Sequence, residues 1–409
     1  MKAPRKKFIL LGLVVAVLAF VAAGCGGDGG GGDTVKIVSD LPLQGSDRVQ
    51  TEQMVRGIEF VLQKAENKAG DFTIEYESFD DATAAKGAWD EAKCAENGRM
   101  YADDENIVAV IGTYNSGCAG IIIPLLNESM TAMISPANTY AGLTKSAPGT
   151  APDEPDKYYP SGERNYVRVI ATDDNQGKVG ASYMKDTLGV TKVYILDDKE
   201  LYGKGVADAF ESAAKDIGLE VAGHEGWDKS AQNYQALMSK IKASGADGIY
   251  LGGISTNNGG QLIKDKVSVV GDNEAVKLVA SDGFVLSSLF EESDNKVEGA
   301  FGTAPTKPVE KLTGAGKQLV EEFQEAEGGK VIEVYTVYAM AAAQVALDAI
   351  SRSDGSREDV TAKVFETDLS DTVIGPISFN AEGDVAGGTE SVYKAVNGKW
   401  EWQEEKAVE

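Results

Sequence analysis

Short, nearly uninterrupted runs of Val, Ile, Leu and Ala alternate with amphipathic stretches along most of this chain. Val35-Lys36-Ile37-Val38 opens the series, and after a loop Met54, Val55, Ile58, Val61, Leu62 and Ala65 recur at helical spacing. The unit returns in Ile107-Val108-Ala109-Val110-Ile111 before Gly112, in Lys192-Val193-Tyr194-Ile195-Leu196 before Asp197-Asp198, and in Gly248-Ile249-Tyr250-Leu251 before Gly252-Gly253. Helical patterns cover Val206 to Ile217 and Tyr234 to Ile241. Strands that are apolar on both faces and separated by helices belong in parallel sheets covered on both sides, so the expected fold class is α/β. About 375 residues follow the N-terminal segment, more than one core usually serves, which predicts two domains.

The alternation breaks twice. Ser146 to Arg164, with Pro148, Pro152, Pro155 and Pro160, is polar and precedes the strand pattern Tyr166-Val167-Arg168-Val169-Ile170. Near the C-terminus the period becomes two, through Ile377-Ser378-Phe379-Asn380, then Ser391 to Val396, the turn Asn397-Gly398 and Trp400-Glu401-Trp402. That is an antiparallel tail, with Asn-Gly as its hairpin signal.

Residues 1–24 read as an export signal: Lys2, Arg5, Lys6 and Lys7 precede an apolar run from Phe8 to Ala23, which ends in small residues before Cys25. An uncleaved anchor is the competing reading, although the run sits at the short limit for crossing a bilayer. Without that segment the chain carries 35 Lys and Arg against 64 Asp and Glu. Such acidity excludes nucleic acid as a partner and repels anionic lipid, so membrane contact has to come from the N-terminus. Cys94 and Cys118 remain as an even pair, read as a disulfide in an oxidising compartment or else as two buried thiols. His224 is the sole histidine, which removes His-rich zinc sites and reads as a surface residue.

No catalytic motif survives inspection: Gly-x-Ser-x-Gly, the P-loop and His-Glu-x-x-His are all missing. The expectation is a protein without enzyme activity, cofactor or metal. Asp80-Asp81, Asp103-Asp104 and Asp173-Asp174 read as solvated caps or turn residues. More informative are the loops after two strands, Thr113-Tyr114-Asn115-Ser116-Gly117-Cys118 and Ser135-Pro136-Ala137-Asn138-Thr139-Tyr140, whose hydroxyls and small residues let backbone N–H groups approach an anion. Plain helix capping by Ser116 and Thr139 explains the same residues equally well. Pro124 fits a helix start or a kink.

With Gly142-Leu143-Thr144, Asp197 to Gly205, Ala280-Ser281-Asp282-Gly283, Tyr335-Thr336-Val337-Tyr338-Ala339 and Val373-Ile374-Gly375-Pro376-Ile377, those loops resemble, in order, the branched-chain amino-acid binding proteins of ABC transporters. The resemblance implies two α/β domains of the type I periplasmic-binding fold, joined by three crossovers and closing on a ligand. It puts the first domain at 35–169 and 303–373 and the second at 170–302 and 374–409, after a 1–24 lipoprotein signal and a 25–34 segment of lipidated Cys25 and Gly-rich tether. It implies that Ser116, Thr139 and backbone near Ala137 and Asn138 hold an α-carboxylate, that Asp282 receives an α-ammonium, and that Tyr114, Tyr202 and Tyr338 line the cleft. Cys94 and Cys118 resemble the family's first-domain disulfide, with Cys118 slightly displaced.

The chain departs from the family at Leu41 to Asp47, which lacks a ligand-packing tryptophan, and at Ile254-Ser255-Thr256, where an aromatic is usual. The implied partners are an amino-acid-like ligand, an ABC permease and, through the N-terminal lipid, the outer face of the cell membrane or the periplasm; the protein is expected to act as a monomer. Alternatives are a ligand-sensing receptor domain of the same fold, or a binding protein for an amide or small organic acid.

Overall fold

The computed structural model describes residues 33–408; the signal segment, Cys25 and nearly all of the Gly-rich tether lie outside the described residues. The first part of the chain forms β1 (Thr34–Leu41), α1 (Arg48–Lys64), β2 (Lys68–Ala69), β3 (Phe72–Asp80), β4 (Ala82–Thr83), β5 (Ala88–Trp89), α2 (Glu91–Asp103), β6 (Ile107–Gly112), α3 (Ser116–Glu128), β7 (Ala132–Ser135) and β8 (Tyr166–Arg168). Its sheet runs in the order β2-β3-β1-β6-β7-β8, and all neighbours are parallel except the β2–β3 pair. The chain then forms α4 (Asp173–Ser182), β9 (Lys192–Asp197), α5 (Leu201–Asp216), β10 (Glu220–Gly226), α6 (Gln235–Ser244), β11 (Gly248–Gly252), α7 (Gly259–Val269), β12 (Lys277–Ala280), α8 (Leu289–Glu292) and β13 (Phe301–Ala304). After this come α9 (Gly314–Ala326), α10 (Val334–Ser351), α11 (Arg357–Phe365), β14 (Asp368–Thr372), β15 (Gly375–Ser378), β16 (Gly388–Val396) and β17 (Lys399–Val408). The second sheet is ordered β10-β9-β11-β12-β13-β16-β17, parallel as far as β13 and antiparallel beyond.

The strands are apolar throughout because both faces are covered. In β6, Val108, Ala109 and Ile111 pack with α1 and α10, while Ile107 and Val110 pack with Tyr101, Cys94, Cys118 and Ile122 of α2 and α3. The second sheet repeats this, with Leu196, Ile249 and Leu278 on one side and Val193, Ile195 and Val279 on the other. Helix α10 is long and apolar enough to cross a membrane by composition, yet it lies buried in the first core beside Ile58 and Leu62. Asp90 caps α2 by accepting from the N–H groups of Ala92 and Lys93. Pro124 sits inside α3, where it neither starts nor ends the helix.

The chain crosses between the sheets three times: between β8 and α4, between β13 and α9, and between β15 and β16. Two crossings come later than the sequence boundaries at 303 and 374. Thr303 and Ala304 still pair in the second sheet, opposite Val392 and Ser391. Gly375–Ser378 pairs with β14, and Ile377 is buried in the first core, so the return falls between Ser378 and Gly388. The Asn397-Gly398 turn joins β16 to β17 with φ of 52° and 78°, the left-handed pair that a tight hairpin requires. Strand β8 stops at Arg168, short of Val169 and Ile170, because the first crossover begins there.

Candidate functional site

In the first sheet β3 lies on one side of β1 and β6 on the other, and in the second β10 and β11 flank β9 in the same way, so the chain order reverses between β1 and β6 and between β9 and β11. At such reversals the loops leave in opposite directions and open a crevice at the carboxyl ends of the strands. One cleft is lined from both sets of loops. Tyr114, Asn115, Ser116 and Gly117 follow β6, and Ala137 and Thr139 follow β7. Asp198, Glu200 and Tyr202 follow β9, Ile254 follows β11, and Asp282 and Gly283 follow β12; Trp89 of β5 and Tyr335 of α10 complete the wall.

One wall presents hydrogen-bond donors at a helix start. Asn115 precedes α3 without capping it, so the first-turn N–H groups at Ser116 and Gly117 open toward the cleft with the positive end of the helix dipole. Ser116 Oγ lies beside them and accepts weakly from Tyr140 N at 3.4 Å. A Cβ on Gly117 would stand 2.6 Å from Cζ2 of Trp89, so the indole rests on this turn only because the residue is glycine.

The other wall holds a carboxylate. Asp282 Oδ1 accepts from Tyr202 OH at 2.5 Å and from Gln176 Nε2 at 2.8 Å, while Oδ2 accepts from Tyr335 OH at 2.5 Å. Burial drives the Asp282 pKa upward, and bonds from Tyr202, Tyr335 and Gln176 pull back only part of that rise. Asp173, also buried, lies nearby at the start of α4; burial and then the charge of Asp282 hold its pKa well above the usual carboxylate range. Asp198 accepts from the N–H groups of Glu200 and Ile254 and from Asn257 Nδ2, and burial pushes its pKa up to about 7. The lining therefore presents three carboxylates, Asp198, Glu200 and Asp282, and no Lys, Arg or His.

A family profile described as periplasmic binding protein matches residues 34–399. This chain belongs to the periplasmic binding protein family. Among relatives of this binding protein, a Leu/Ile/Val-binding protein homolog 2 from Brucella abortus (strain 2308) is 29% identical over 348 residues, 84% of this chain and 85% of the other. A leucine-binding protein from Thermotoga maritima shares the fold with a TM-score of 0.78 at 22% identity, covering 91% of this chain and 98% of its own. A solute-binding protein of an ABC transporter from R. palustris, in complex with benzoate, has a TM-score of 0.73 at 19% identity, covering 92% of this chain and 97% of its own.

Of the residues expected from sequence, the binding protein brings Tyr114, Ser116, Ala137, Thr139, Tyr202 and Asp282 to the cleft. Asn138 and Tyr338 fall outside it. Asn138 spends its side chain inward: Nδ2 donates to the carbonyls of Thr113 and Tyr114, and Oδ1 accepts from Tyr166 OH, which staples the two anion-side loops together. Tyr338 OH accepts from Lys307 N at 2.6 Å, facing the second crossover. Its place is taken by Tyr335, one turn nearer the start of α10, whose ring packs edge-on against Tyr114 at 5.7 Å. Trp89 and Glu200 escaped sequence reasoning as lining residues, and Tyr335 was passed over for Tyr338; the signal for Tyr335 was its place at the N-terminal turn of an apolar helix.

Two further expectations are corrected, and a third, the disulfide, is met. His224 is largely buried on β10, with Nδ1 2.9 Å from Glu211 Oε2 and Nε2 3.3 Å from Asp197 Oδ2, because strand β10 faces the flank of α5. Asp81 and Asp173 are buried, not solvated: Asp81 lies between β3 and β4 beside Asp40, and Asp173 opens α4 beside Asp282. Cys94 and Cys118 form a disulfide between α2 and α3.

Proposed function

We propose that this chain is an extracytoplasmic solute-binding protein that captures a branched-chain or related α-amino acid between its two lobes and delivers it to an ABC permease, without chemistry of its own. The opposition of an uncapped helix start at Ser116 to the triply bonded carboxylate of Asp282 carries this reading. An α-amino acid has the two matching charges. Its carboxylate takes the N–H groups of the α3 turn, Ser116 Oγ and Thr139, and its ammonium takes Asp282. Closure removes water and strengthens both contacts. Cys25, lipidated after signal cleavage, would hold the receptor near the permease as a monomer on the membrane's outer face, on a Gly-rich tether.

Thermal shift with L-leucine, L-isoleucine, a wider α-amino-acid set and benzoate tests this. A ligand at about 100 times its Kd stabilises by roughly 2.7 kcal/mol. Asp282→Asn should remove the shift for every α-amino acid, since stripping one partner from a buried charge pair costs about 2–5 kcal/mol. A shift with benzoate alone, retained in Asp282→Asn, would replace the amino-acid reading by an organic-acid one.

A further inference from the structure

We propose that the ligand is an α-amino acid whose side chain ends in a cationic group, received by Glu200 at the outer end of the cleft. This rests on the amino-acid reading above and names the substrate class within it. Once the ligand's carboxylate lies on the α3 turn and its ammonium on Asp282, the remaining substituent meets Trp89 from one lobe and Ile254 from the other. Both are apolar, and both suit a methylene stem. The cleft lining itself holds Asp198, Glu200 and Asp282 and no Lys, Arg or His. Asp198 serves as a backbone anchor, holding the N–H groups of Glu200 and Ile254 together with Asn257. Glu200 is not so committed. Its carboxylate pairs with Lys229, whose side chain is 55% exposed and free to swing into water.

Glu200 and Trp89 also line an adjoining chamber of about 270 Å³ that is bordered by Lys229, Lys86 and Glu91. A stem passing Trp89 and Ile254 therefore ends where a carboxylate can exchange the solvent-exposed Lys229 for the ligand's own amine or guanidinium. An aliphatic tip would instead strip water from Glu200 without bonding it, which is unfavourable. The surrounding field favours a cation as well, because the chain after the signal segment carries 35 Lys and Arg against 64 Asp and Glu.

Calorimetric titration with L-lysine, L-arginine and L-norleucine tests the assignment, since norleucine keeps lysine's stem and lacks its terminal amine. Lysine or arginine should bind at least about tenfold tighter than norleucine, or about 1.4 kcal/mol. Glu200→Gln should erase that preference by weakening lysine and arginine at least about tenfold without weakening norleucine to the same extent, and Lys229→Ala should tighten the cationic ligand severalfold. Both side chains reach solvent, and thermal melting of each variant separates misfolding from lost recognition. Norleucine or leucine binding as tightly as lysine overturns the inference and leaves the amino-acid reading standing. A Glu200→Gln that weakens all three ligands alike overturns it too. Wild-type protein that binds no α-amino acid overturns both.

Discussion

Two titratable residues of this protein are shifted upward for opposite reasons. Asp282 is raised because burial disfavours its charge, and three donors only partly compensate. His224 is raised although burial alone would lower it, because Asp197 and Glu211 bond its ring and stabilise the imidazolium. Asp208 lies 3.8 Å away on the same side, and Lys215 pairs with Glu211 behind it. His224 thus holds its proton more tightly folded than unfolded, and its stabilising effect is complete below the unfolded His pKa of about 6.5. That effect fades as pH rises through the higher folded value. Asp197 and Glu211, both held low despite burial, stay ionised across this window. His224→Ala should therefore lower the urea midpoint at about pH 5.5 and have a much smaller effect at about pH 9. Equal losses at both pH values would mean that the ring acts by packing, not by charge.

At the scale of elements, the anion-receiving turn is held by more than its own helix. Cys118 lies two residues beyond Ser116 and is bonded to Cys94 of α2, which fixes the start of α3 against its neighbour. The loop so closed spans 24 residues, and the chain-entropy account assigns it roughly 3 kcal/mol. Cys94→Ser with Cys118→Ser should lower the denaturant midpoint accordingly, and reductant should leave the variant unaffected while destabilising the wild type. Elements of this kind were legible in the sequence wherever period and burial agree. Parallel strands such as Ile107–Gly112 announced themselves as apolar runs, and Asn397-Gly398 announced its hairpin. Side-chain direction was not legible. Tyr335 and Tyr338 are one turn apart on an almost wholly buried helix, so hydrophobic pattern cannot say which ring reaches the cleft. Trp89 arrives from a two-residue strand with no periodicity, and Ile377 looked like part of the C-terminal tail because β14 and β15 pair locally before the chain returns.

For the whole molecule, the crossovers and the cleft form one mechanical system. Arg168, fully buried at the end of β8, donates from Nε to Asp384 Oδ1 at 2.7 Å and from Nη1 to the carbonyls of Asn138 and Tyr140. It therefore ties the first crossover to the third and both to the loop that carries Thr139. Among the described residues, no buried ion pair of this kind ties the far side of the cleft. There the lobes meet through the start of α10, where Ser287 Oγ donates to Glu333 and Tyr335 OH donates to Asp282. The Tyr335 bond is placed to couple ligand to closure, because the carboxylate that would take the ammonium also holds the opposite lobe. Tyr335→Phe removes one donor to a charged acceptor, a loss of about 1.5–3 kcal/mol. Amino-acid affinity should fall by about tenfold or more, which corresponds to at least about 1.4 kcal/mol. Small-angle scattering of the ligand-free variant should show a larger radius of gyration than the wild type, and saturating ligand should restore the compact form. Unchanged affinity with an unchanged scattering profile would mean that closure is driven from the Arg168 side, with the Tyr335 bond a passive consequence of it.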